Sequence, residues 1–110
     1  MVPEFDYRAV LKSDMAGRIT SLIAHQVTSE GPLRAVIWSV PRKAWIFASA
    51  PAARFLYDGR YFDRTRKVDR PAAEQIARES LKTELPTEQT LRTMTAEGIR
   101  MGWENGPPEE

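Results

Sequence analysis

Two short runs of β-branched and aromatic residues, separated by the three residues 41–43 (PRK), constrain the fold of this chain more than any other feature. The first run is LRAVIWSV at 33–40 and the second is AWIFAS at 44–49. Runs of this kind, joined by a short proline-containing turn, are typical of a β-hairpin. Because both faces of the two runs are apolar, the sequence predicts a hairpin over residues 33–49 in the centre of a sheet, covered on one side by helices.

Two further strands are predicted before the hairpin. Residues 5–12 alternate partly between apolar and polar side chains, which favours a first strand. Residues 18–27 fit a strand, but they also fit one face of a helix with Asp14 as its N-cap. The β-branched residues of this segment and the preceding Gly17 favour the strand.

Helix-forming patterns begin where the hairpin ends. The first helix is predicted to begin at Ser49, with Pro51 in its first turn, where proline is tolerated. A second helix is predicted over residues 70–82, because Asp69 is a good N-cap and alanine, isoleucine and leucine recur on one face.

The third helix is predicted to begin behind Thr87 and to end near Gly98, after which residues 99–103 alternate and are expected to dock as a short strand. Strands precede helices along the chain, which is typical of an α+β domain. The sequence predicts a small antiparallel β-meander of about four strands packed against two or three C-terminal helices. We expect a single domain over residues 1–104 and a flexible acidic tail over 105–110.

The composition excludes several kinds of chemistry. The 110 residues include no cysteine, which rules out thiol nucleophiles and thiolate metal sites. The P-loop pattern, the dinucleotide-binding glycine pattern and H-E-x-x-H are all absent from the sequence. We therefore predict no catalytic residue, no cofactor and no metal site. The single histidine, His25, leaves a small hydrolase as an alternative from another class.

Location and source are also constrained by composition. The sequence has no apolar run long enough for a membrane helix and no signal-peptide pattern at its start. A cysteine-free chain fits a reducing compartment. Twelve arginines against four lysines are typical of a GC-rich genome. We expect a cytoplasmic, bacterial protein that does not bind membranes.

The most unusual stretch is RFLYDGRYFDRTRKVDR, residues 54–70. Six basic residues stand there against three aspartates, with Tyr57, Tyr61 and Phe62 among them. The segment has a local net charge of +3, whereas residues 71–110 carry −4. The overall charge of +1 therefore conceals a basic middle and an acidic C-terminal third.

Three interpretations of this basic segment compete. Arginine and tyrosine are favoured at the centres of protein interfaces, which predicts a protein partner and a non-enzymatic binding module of the inhibitor, immunity or adaptor type. The alternative is nucleic-acid binding, in which the cations contact phosphates and the aromatics stack on bases. In the third interpretation Asp58, Asp63 and Asp69 pair with arginines and fix the shape of a loop. The predicted partner-binding residues are Arg54, Tyr57, Arg60, Tyr61, Arg64 and Arg66.

Two expectations concern the sheet itself. A meander of about four strands has edges that must be covered or paired, so a homodimer through a sheet edge is a further expectation. If the face that carries Trp38 is uncovered, Trp38 and Trp103 would line a ligand groove. The competing interpretation is that the tryptophans belong to the core.

Overall fold

The computed structural model describes residues 5–11, 19–26, 34–57 and 64–103, with the backbone alone described at 55–57. Within these residues the chain forms five strands and three helices. Residues 1–4 and the predicted tail at 105–110 lie outside the described part. The elements are β1 (Phe5–Leu11), β2 (Ile19–Gln26), β3 (Ala35–Ser39), β4 (Ala44–Phe47), α1 (Ser49–Tyr57), β5 (Thr65–Val68), α2 (Arg70–Glu79) and α3 (Glu88–Met101).

The strands form one antiparallel sheet in the order β4-β3-β2-β1-β5. The α+β class and the hairpin over 33–49 are confirmed, since β3 pairs with β4 through Val36↔Phe47 and Trp38↔Trp45. The ambiguous segment 18–27 is a strand, which pairs with β1 on one side and with β3 on the other. Four strands follow a meander as predicted, and β5 adds a fifth beside β1.

The position of the hairpin differs from the prediction of a central one. β4 is an outermost strand of the described sheet, and β5 is the other. Strand order depends on pairings between distant segments, and the apolar faces of the hairpin do not reveal it. The described residues include no helix that is both long and apolar enough to cross a membrane.

Helices cover both faces of the sheet rather than one. The larger core lies under α2 and α3, and the smaller core lies under α1 on the opposite face. A strand that is apolar on both sides is therefore buried on both sides. The larger core consists of Phe5, Tyr7, Ala9, Leu22, Ala24, Val36, Ala73, Ala77 and Leu91; the smaller consists of Val10, Ile23, Ala35, Ile37, Ile46, Ala48 and Ala52.

The predicted helix starts are confirmed. Pro51 lies in the first turn of α1. The Asp69 carboxylate accepts a hydrogen bond from the Ala72 amide at 2.9 Å and caps α2. The Thr87 hydroxyl likewise accepts from the Thr90 amide at 3.1 Å and caps α3. Each cap satisfies an amide that has no partner within its helix.

The end of α3 was predicted incorrectly. The helix continues past Gly98 to Met101, so the expected strand at 99–103 is helical over most of its length. Gly102 ends the helix in the left-handed conformation with φ 71°, and the Trp103 amide donates to the Gly98 carbonyl at 3.0 Å. Gly98 is inside the helix because α3 lies directly against the ring of Phe47 there, where a β carbon would overlap the ring.

Hydrogen-bond alternation determines which backbone groups face outward at the two sheet edges. The Ala48 amide donates to the Ala35 carbonyl at 3.0 Å, and the bonded pairs of an antiparallel ladder recur at every second residue. Hence Trp45 and Phe47 direct their amide and carbonyl groups away from β3. The Gln26 amide donates to the Arg34 carbonyl at 2.8 Å, which agrees with the same alternation of bonded residues on the β2 side.

Candidate functional site

The basic segment contains an edge strand. β5 lies within it and pairs with β1 through Arg8↔Lys67 and Ala9↔Arg66. Arg66 and Lys67 are both exposed, and the side chain of Lys67 keeps 67% of its accessible surface. Because successive side chains of a strand point to opposite faces, these two cations flank the edge from both sides.

The same alternation of hydrogen bonds that fixes the β4 edge also fixes the β5 edge. When this alternation is followed from β3 through β2 to β1, the backbone of Tyr7 is hydrogen-bonded to that of Val68, and the backbone of Ala9 to that of Arg66. The backbone groups of Thr65 and Lys67 therefore point outward. Among the described residues no further strand pairs with these groups, so the β5 edge combines outward-facing backbone donors and acceptors with positive charge.

Four of the six predicted partner-binding residues lie in the described part of the chain, on α1 and on or next to β5. Arg54 is exposed on α1, and Tyr57 is the last residue of that helix, with only its backbone described. Arg66 is exposed on β5. Arg60 and Tyr61 lie outside the described residues.

Arg64 has a structural role in addition to any contact with a partner. It is half-buried, and its Nε donates to the Leu11 carbonyl at 3.2 Å. This hydrogen bond holds the start of β5 to the end of β1. Arg64 also lines a cavity of about 390 Å³ with Arg42 and the hydroxyls of Ser21 and Ser39.

The hydroxyls of this cavity are already used within the fold. Ser21 donates to the Trp38 carbonyl at 2.7 Å, and Ser39 accepts from the Arg42 amide at 3.3 Å. Each bond satisfies a group next to the hairpin turn. The hydroxyl groups therefore support the hairpin, and the cavity is less suited to a polar ligand than its lining suggests.

The third interpretation of the basic segment predicts that its aspartates pair with arginines. The carboxylate of Asp69 caps α2 and forms no ion pair with an arginine of the described part, while Asp58 and Asp63 lie outside the described residues. The Nζ of Lys67 lies 4.0 Å from Oδ1 of Asp6, a distance too long for a strong ion pair. Arg70 is engaged more firmly, since its Nη1 donates to the Tyr7 hydroxyl at 2.8 Å.

A second cleft lies along the outer edge of β4. It has a volume of about 320 Å³, and residues from both faces of the strand line it, with Met94 and Trp103 opposite. Trp38 does not join Trp103 there. It packs instead against Trp45, with ring centroids 5.4 Å apart and a tilt of 59°.

His25 lies beside a carboxylate but without a nucleophile among the described residues. Its Nε2 is 4.0 Å from Asp6, and no described hydroxyl hydrogen-bonds to it. Burial lowers the pKa of His25, while the Asp6 carboxylate opposes that effect. No group of three or more histidine, aspartate or glutamate side chains in the described part could hold a metal ion.

Comparisons with protein-family models, with curated proteins and with solved structures find no match to this chain. The fifth strand was missed from sequence because TRKV carries three polar residues, although its threonine and valine do favour a strand.

Proposed function

We propose that this protein is a non-enzymatic binding module that takes up an extended, acidic segment of a partner protein by strand addition at the outer edge of β5. The observation that carries the proposal is the placement of Arg66 and Lys67 on an edge strand. The module acts in the bacterial cytoplasm as an inhibitor, an immunity protein or an adaptor.

Strand addition is favoured by the backbone of the edge. Thr65 and Lys67 direct their amide and carbonyl groups outward, where an incoming strand can complete the hydrogen-bond ladder. These bonds provide affinity for any extended chain. Side chains at alternate positions of the added strand then provide selectivity.

Charge favours an acidic occupant. An added strand places its side chains beside Arg66 on one face and Lys67 on the other, so glutamate or aspartate on either face meets a cation. Nucleic acid fits this geometry less well, because a phosphate backbone is best matched by cations aligned on one surface. Binding to nucleic acid is therefore the alternative outcome of the test.

The test uses a displayed library of linear peptides selected against the whole protein. We expect enrichment of peptides with acidic residues at alternating positions. The double variant Arg66→Glu with Lys67→Glu reverses both charges. It should lower the affinity for the selected peptides on the order of tenfold or more, which is ~1.4 kcal/mol or more in binding free energy. Affinity for the wild-type protein should also fall with added salt.

The matched control is Arg78→Glu with Lys82→Glu, which changes the net charge equally at two exposed positions outside β5. This variant should bind the selected peptides as the wild-type protein does. Equal losses in both variants would show that net charge, and not the β5 edge, governs binding. A library that yields no acidic peptides, together with binding of single-stranded DNA at low salt, would replace the proposal with its alternative.

A further inference from the structure

We propose that the outer edge of β4 pairs with the β4 edge of a second copy of this chain. The two copies would be related by a two-fold axis at Ile46, which extends the sheet across the dimer. This inference does not depend on the function proposed for β5. It rests on the backbone, the charge and the apolar surface at the opposite edge of the sheet.

The backbone of β4 is suited to antiparallel pairing with itself. Trp45 and Phe47 direct their amide and carbonyl groups outward. A two-fold axis at Ile46 sets Trp45 opposite Phe47 of the second copy, so that each outward group faces a complementary one. An isologous contact of this kind closes at two copies and does not propagate into a fibre.

Charge distinguishes the two edges. β4 has the sequence AWIF and carries no charge, whereas β5 has the sequence TRKV and carries two cations. Charged residues, lysine above all, are a common means of keeping an edge strand from pairing with its own kind. A second copy is therefore repelled at β5 and not at β4, which makes β4 the self-pairing edge.

The cleft beside β4 offers apolar surface to cover. Met94 and Trp103 line it, and Met101 lies seven residues after Met94 on the same flank of α3, 51% exposed. The cleft also contains one basic and one acidic side chain, Arg42 and Glu97, so two copies meet without a net excess of either sign. Burial of this flank is what would favour association.

The dimer would keep the proposed binding edges apart. Pairing through β4 puts each β5 at a far end of the combined sheet, as the strand order requires. Both β5 edges would stay accessible. A partner with two acidic segments could then engage both copies at once.

The test begins with the mass of the protein in solution, measured by sedimentation over a range of concentrations. We expect twice the mass of one chain, decreasing on dilution. Met101→Lys should weaken association about tenfold or more, because it introduces a charge on the covered flank. The matched control is Ile99→Lys, which changes an apolar residue of the same helix, 40% exposed, that is not on that flank.

Amide hydrogen exchange then identifies the edge. In the wild-type protein the Trp45 and Phe47 amides should be protected, and in Met101→Lys they should exchange rapidly. The Ile46 amide is bonded to β3 and should be protected in both proteins, which shows that the variant remains folded.

A wild-type protein that is monomeric at every concentration would overturn the proposal. So would equal weakening by Met101→Lys and Ile99→Lys, or a dimer whose Trp45 and Phe47 amides are unprotected. None of these results bears on peptide binding at β5, which is measured separately.

Discussion

The backbone of α3 at Gly98 lies directly against the aromatic ring of Phe47, so closely that no β carbon fits between them. This contact sets the distance between α3 and the outermost strand of the sheet. It also explains why a residue that disfavours helices lies inside one, since only glycine leaves room for the ring. The β4 edge and the cleft beside it owe their shape to this approach.

Gly98→Ala should destabilise the protein, although the same change at an exposed helical position stabilises by about 1 kcal/mol. The added carbon must displace Phe47 or the helix, which costs roughly 1–3 kcal/mol in free energy of unfolding. Urea denaturation monitored by tryptophan fluorescence measures this. Ala96→Ser, at an exposed position of the same helix, should change stability by no more than about 0.5 kcal/mol. A gain in stability for Gly98→Ala would mean that the contact is looser than described.

Gly102 should be replaceable by asparagine at lower cost than by alanine. Its φ of 71° lies in the left-handed region, and no described atom outside the adjacent chain lies within 4 Å of an added β carbon, so the expected cost comes from the backbone. Alanine should lose roughly 1–2 kcal/mol of unfolding free energy, and asparagine less, because its side chain tolerates this conformation. Thermal unfolding of both variants provides the comparison. Identical losses would show that the residue does not keep this φ in solution.

His25 should titrate below its ordinary pKa of 6.5, because burial disfavours the charged ring. Since it is the only histidine, its ring protons give one titration curve by NMR. As pH falls, His25 therefore binds a proton more readily in the unfolded chain than in the folded chain. The stability contributed by neutral His25 is full above pH 6.5 and is lost as pH falls through the lower pKa of the folded protein. Asp6→Asn should lower the pKa further, since the Asp6 carboxylate raises it. A folded pKa at or above that of the urea-denatured chain would contradict this account.

Tyr7→Phe should reduce the decrease in unfolding free energy that the protein shows at high pH. Burial raises the pKa of Tyr7 above its ordinary value of 10.0, against the opposing effect of the hydrogen bond from Arg70. The folded chain therefore holds a proton that the unfolded chain releases. The stability contributed by the protonated Tyr7 is full below pH 10 and declines as pH rises through the higher pKa of the folded protein. Unfolding free energies at about pH 8 and about pH 11 should differ less in the variant than in the wild-type protein. An unchanged difference would show that the Tyr7 phenol does not contribute.

The predictions that held were those encoded by neighbouring residues. Asp69 and Thr87 cap their helices through hydrogen bonds to amides three positions later, so sequence spacing alone identifies them. The β3–β4 hairpin is also local, because its turn and its alternation lie within residues 33–49. The strand over 18–27 was distinguished from a helix by its β-branched residues.

The predictions that failed depend on tertiary structure. Gly98 looked like a helix end because its fit against Phe47, 51 positions earlier, leaves no trace in the local sequence. β5 is four residues long and gains its pairing from β1. The candidate site shares this limit: the charge of Arg66 and Lys67 is evident from sequence, but their position at the edge of a sheet is not.

The pairing of β5 with β1 joins segments more than fifty positions apart. Closure of such a long loop is entropically costly and slow, so β5 is expected to join the sheet late in folding and to detach early under stress. A segment bound at its outer edge adds hydrogen bonds that detachment must break. Occupancy would then slow the opening of this end of the sheet.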